Sequence, residues 1–179
     1  MTAMRRTITR LFNPSRARLI NDRASIINIP VWRCSDLAAL AHLRSLPYVD
    51  QNRLVVMGAS FGGIQTMLAV ERGSGYRVAV NCSGAAQTWR GSPDLRARLT
   101  AAAGKATIPV FFVQAENDYD LRPNRVLSEE VRNAGKSVET KTYPAFGSGA
   151  QEGHSFCWRG TNIWGPDVLK FVEANLKPG

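Results

Sequence analysis

The chain has 179 residues, 44% of them hydrophobic, which is enough for one domain with a real core and too few for two. No stretch approaches the roughly eighteen consecutive apolar residues that a membrane-spanning helix needs, so no membrane role is expected. The formal net charge is +9, but residues 1–23 carry six arginines (Arg5, Arg6, Arg10, Arg16, Arg18, Arg23) against the single acid Asp22. Beyond residue 23 no basic stretch is interleaved with aromatics, which argues against a nucleic-acid partner.

Taken in chain order, residues 1–24 read as a basic segment set apart from a domain over residues 25–179. The segment is rich in arginine and threonine and poor in acid, the composition of an organellar import sequence, but Pro14 interrupts any helix there. It also fits the altered start of a shortened gene. With no secretory signal, the expected location is the cytoplasm, organellar import being the alternative. "SIINIPVW" (25–32) is β-branched and apolar, and its Pro30 restricts it to an edge strand or an irregular extended piece. Ser35 and Asp36 open a leucine-periodic helix that stops at Pro47.

A short apolar strand follows at 53–58, then a helix at 62–73 closed by glycine. The alternation continues with a strand at 77–84, a helix near 92–103, a strand at 108–115, a helix near 124–134, a strand at 137–143 and a last helix near 165–175. Continuous apolar strands separated by helices of ten or so residues predict a three-layer α/β/α fold around a mostly parallel sheet. Cys34, Cys82 and Cys157 are an odd set without CxxC spacing and are expected to be buried free thiols.

In such sheets ligands collect beyond the carboxyl ends of the strands. Gly58-Ala59-Ser60-Phe61-Gly62 fits G-x-S-x-G between an apolar strand and an apolar helix. There a sharp turn lifts the serine above the sheet in a strained conformation costing about 1–3 kcal/mol. Glycine is expected at both 58 and 62 for lack of space. A serine hydroxyl needs a base. Of two histidines, His42 lies within the leucine-rich helix, whereas His154 follows the last strand in a glycine-rich stretch expected to be a loop. Just after strand 108–115 stand Glu116, Asp118 and Asp120; Asp118 is the preferred orienting carboxylate and Asp120 the reserve. The chain order Ser60, Asp118, His154 is that of the α/β-hydrolase arrangement.

The segments "LPYVDQNRLVVMGASFGG", "FFVQAENDYDLRP" and "QEGHSFCWRG" resemble the C-terminal part of a dienelactone hydrolase-like member of the α/β-hydrolase superfamily, over residues 35–175. The resemblance implies Ser60 as nucleophile, His154 as base, Asp118 as acid, and the backbone N–H of Phe61 as one oxyanion donor. Typical dienelactone hydrolases carry cysteine where Ser60 stands, a departure that weakens dienelactone as the substrate and favours a general carboxylic-ester hydrolase. The expected activity is that of a serine hydrolase on small carboxylic esters or lactones. An acyltransferase sharing the triad is not separated from it. Neither metal nor organic cofactor is called for.

Gln87, Trp89, Phe156 and Trp158 are candidates to line the substrate pocket. The family's early strands and second oxyanion donor lie upstream of everything matched. Either residues 1–34 cover the sheet edge, or the chain is a catalytically impaired fragment whose open edge invites a second copy to form a homodimer.

Overall fold

A computed structural model describes residues 38–73 and 75–176. The basic segment 1–24, the extended stretch 25–32, Cys34 and the cap residues Ser35 and Asp36 lie outside the described residues. Helix α1 covers 38–45 of those described and buries Leu40. The elements that follow are β1 (Val55–Ala59), α2 (Phe61–Arg72), β2 (Val78–Cys82), α3 (Pro93–Ala103), β3 (Val110–Ala115), α4 (Arg122–Asn133), β4 (Val138–Tyr143), α5 (Ala150–Arg159) and α6 (Thr161–Asn175). The four strands form one sheet in the order β1-β2-β3-β4, every neighbour parallel.

The fold follows from strands buried on both sides. Along β3, Val110 and Phe112 join a core with Leu40, Ile64, Met67, Leu99 and Leu127, drawn from α1 to α4. The intervening Phe111 and Val113 join a second core with Phe156, Trp164, Val168 and Phe171, drawn from α5 and α6. Because side chains alternate faces with a period of two, an unbroken apolar run supplies both layers at once. Each fully buried large side chain contributes about 1.5–3 kcal/mol. The two strands at the ends of this order are less buried: β1 is mostly half-buried, and Glu139, Thr140 and Thr142 of β4 are exposed, each strand having one strand neighbour among the described residues.

Glycine and proline set the ends of the helices. Gly73 closes α2 in the left-handed region at φ 58°, and Pro93 opens α3 where its missing N–H costs nothing.

Two sequence expectations need correction. The stretch expected as a glycine-rich loop contains helix α5, with His154 near its middle. Its first turn is held by Glu152, whose carboxylate accepts from the backbone N–H (2.6 Å) and hydroxyl (2.9 Å) of Ser148. Those bonds hold its pKa below the usual carboxylate range. The cysteines differ as well: Cys82 at the end of β2 and Cys157 on α5 are joined by a disulfide, their Cα atoms 5.8 Å apart. Residues 75 positions apart give no sign of such a pairing until the sheet brings them together.

Candidate active site

Because the strands are parallel, their carboxyl ends lie along one rim, and the expected side chains come from three of the four. Ser60 stands between β1 and α2 with φ 54° and ψ −114°, a conformation that L-residues seldom adopt. Its backbone N–H donates to the carbonyl of Cys82 at 2.9 Å, tying the turn to the end of β2. A Cβ on Gly58 would fall 2.1 Å from the carbonyl oxygen of Gly62, so the turn closes only over glycine at 58. The expectation for Gly62 does not hold, since a Cβ there meets nothing within 4 Å. The second crowded position is Gly63, where a Cβ would lie 2.7 Å from the Cα of Gly84.

Asp118 follows β3 and His154 sits on α5 beyond β4. His154 Nδ1 lies 2.8 Å from Asp118 Oδ1, and His154 Nε2 lies 2.8 Å from Ser60 Oγ. With the carboxylate accepting from Nδ1–H, Nε2 is left to accept the serine O–H. Asp118 also accepts from the backbone N–H of Tyr119 (2.7 Å) and from Gln114 Nε2 (2.8 Å). The imidazole is 2% exposed, and the rings of Tyr119 and Trp158 stand edge-on to it with centroids 5.5 and 5.8 Å away. The three side chains thus form one hydrogen-bonded line with the hydroxyl at its open end.

Asp120, the reserve carboxylate, points elsewhere. It is paired with Arg122, whose side-chain hydrogen bonds hold its pKa below the ordinary value. Glu116 is exposed, and its backbone N–H continues the pairing with Tyr143. His42 is exposed on α1. Phe61 is the first residue of α2, so its N–H belongs to the positive end of that helix beside the serine.

The candidate pocket residues divide. Trp158 is 46% exposed beside His154, and Gln87 is exposed on the segment after β2. Trp89 and Phe156 are buried, Trp89 in the core under α2 and α3 and Phe156 against Tyr143 and Phe146 in the other. Their rings are used in packing rather than at the rim.

Sequence reasoning passed over Gln114, Asn117 and Tyr119. A glutamine inside the otherwise apolar "VFFVQA" was the readable sign for the first. Besides Asp118, its Nε2 donates to the carbonyl of Asp120 at 2.8 Å, fixing the turn that carries the carboxylate.

Solved structures that share this fold are α/β-hydrolases. The chain is similar to dipeptidyl peptidase 4 of Porphyromonas gingivalis, with 19% identity and a TM-score of 0.62, over 80% of this chain and 22% of that one. It is similar to the acylaminoacyl peptidase of Pyrococcus horikoshii, with 17% identity and a TM-score of 0.58, over 76% and 26% respectively. An esterase from Pyrococcus furiosus shares 12% identity with a TM-score of 0.59, over 79% of this chain and 60% of that one. The chain therefore spans about a quarter of the length of the two peptidases. The family model described as prolyl oligopeptidase, peptidase S9, matches residues 31–94, which include the Ser60 turn. No curated protein matches the chain.

Proposed function

We propose that the protein is a serine hydrolase that cleaves small carboxylic esters or lactones through an acyl-enzyme on Ser60. The observation that carries this reading is the unbroken line from Ser60 Oγ through His154 to Asp118, with 2.8 Å at each step. Ser60 Oγ adds to the substrate carbonyl while His154 Nε2 takes its proton, and the Asp118 carboxylate stabilises the imidazolium that results. The oxyanion is met by the N–H of Phe61, and a lost donor of this kind typically costs about 10²–10³ in rate. Collapse breaks the carbonyl–leaving-group bond, and Nε2–H returns the proton to the departing oxygen. Water then repeats the sequence on the acyl-serine. Trp158, exposed beside His154, and Gln87, exposed on the segment after β2, are the side chains this reading assigns to substrate contact.

Motif resemblance to dienelactone hydrolases supports the choice of esters and lactones. The prolyl oligopeptidase match over residues 31–94 favours a second reading, a peptidase that uses the same residues on an amide. A fluorophosphonate probe tests the shared chemistry: labelling is expected at Ser60, and none in folded protein would overturn both readings. Turnover of short-chain nitrophenyl esters against aminoacyl arylamides then separates them, and arylamide turnover exceeding ester turnover would overturn the first.

A further inference from the structure

We infer that Asn117 is a positioning residue, the clamp that aligns the acid-bearing turn with the base-bearing helix. The inference rests on the hydrolase reading above and deepens it. Asp118 and His154 come from different connections, so their hydrogen bond is only as well aligned as the two connections are with each other. Asn117 joins them directly. Its Nδ2 donates to the carbonyls of Phe146 and Gly149, both at 3.1 Å, and its Oδ1 accepts from the N–H of Phe146 at 2.9 Å. Phe146 lies on the segment between β4 and α5, and Gly149 is the residue that caps α5. The side chain next to the carboxylate thus holds the entrance to the histidine's helix by three bonds.

The helix reciprocates. Gly153, immediately before His154, lies so close to the clamp that a Cβ there would be 2.6 Å from the carbonyl carbon, carbonyl oxygen and Oδ1 of Asn117. Backbone thus packs on backbone at this point, and His154 enters the site from a surface seated on the residue that precedes Asp118. An asparagine suits the place because it must offer two donors and one acceptor at once. Aspartate has the same shape and offers only acceptors, against two carbonyl oxygens. Alanine offers nothing.

The test compares Asn117→Ala and Asn117→Asp with the unaltered protein. The low-field proton resonance of His154 Nδ1–H reports the His–Asp hydrogen bond and needs no turnover. Steady-state kinetics on a nitrophenyl ester report its use. In both variants the resonance is expected to move upfield or vanish. The value of kcat is expected to fall by about 10²-fold, the usual cost of a displacement near 1 Å, with KM changed less than threefold. Asn117→Asp is expected to be no better than Asn117→Ala, despite its closer shape.

Folded variants that keep the resonance and kcat would overturn the inference. So would a fall in thermal stability with kcat intact, or failure of both variants to fold, since each would make Asn117 merely structural. If the unaltered protein hydrolyses nothing and takes no probe, the hydrolase reading fails while the resonance still decides on the clamp.

Discussion

Reduction of the Cys82–Cys157 disulfide is the perturbation whose size the structure sets most directly. The bridge closes a loop between residues 75 apart in sequence. In the chain-entropy treatment, a loop of that length removes about 15 cal/mol/K from the unfolded chain, or about 4.5 kcal/mol at 25 °C, and measured bridges usually return about 2–4. Both sulfurs belong to the core with Phe111 and Phe156. Reduction keeps both sulfur atoms in this core, moved apart to van der Waals contact, so it removes the cross-link without opening a cavity; alanine at either position would add a cavity cost. Urea unfolding followed by tryptophan fluorescence, with and without reductant, is expected to show a loss of about 2–4 kcal/mol. The melting temperature is expected to fall by roughly 5–15 °C. Thiol titration of the denatured, unreduced chain is expected to find Cys34 alone. Reduced protein that remains folded is expected to keep its fluorophosphonate reactivity, since the contacts of Ser60, His154 and Asp118 do not run through sulfur. Three titratable thiols with unchanged unfolding midpoints would refute the reasoning.

The two glycines of the turn are expected to behave oppositely. Gly58→Ala places a Cβ against the Gly62 carbonyl and is expected to cost more than about 3 kcal/mol, while Gly62→Ala, in open space on a helix, is expected to fall within about 1 kcal/mol of neutral, both read by urea titration. Ser60→Gly is expected to abolish probe labelling while raising stability by about 1 kcal/mol or more, because glycine accepts φ 54° without strain. Asp118→Asn is expected to lower kcat by about 10⁴-fold through the wrong imidazole tautomer, whereas Asp120→Asn is expected to leave kcat within threefold. The latter change is expected to cost less than about 1 kcal/mol at neutral pH, since Arg122 is half exposed. Because folding lowers the Asp120 pKa, that stability is present above its unfolded pKa and disappears as pH falls through the folded value; stability measured from pH 7 downward checks the sign.

Local signals carried much of the architecture. The β-branched runs, the glycine after Arg72 and the proline before Asp94 announced β1 to β4, α2 and α3 to within a few residues, because strand burial and helix ends depend on neighbours in sequence. The Ser60 turn was legible for the same reason: G-x-S-x-G between an apolar strand and an apolar helix is a local pattern, with the glycines leaving room for a sharp turn. Asp118 could be ranked above Asp120 only by distance from the strand end. What separates them is that Arg122 takes the second and His154 the first, contacts of two and thirty-six residues' separation.

Tertiary structure alone decided the rest. The glycines of "GAQEGHSFCW" read as a loop, yet Gly153 is there so that a helix can rest on the backbone of Asn117. Trp89 and Trp158 are indistinguishable by composition, and only packing put one in a core and the other beside the histidine. The bond between Cys82 and Cys157 and the three bonds of Asn117 join segments distant in sequence. Periodicity reports which face of an element is buried. It carries no information about which distant element fills that face, and in this protein that choice aligns Asp118 with His154.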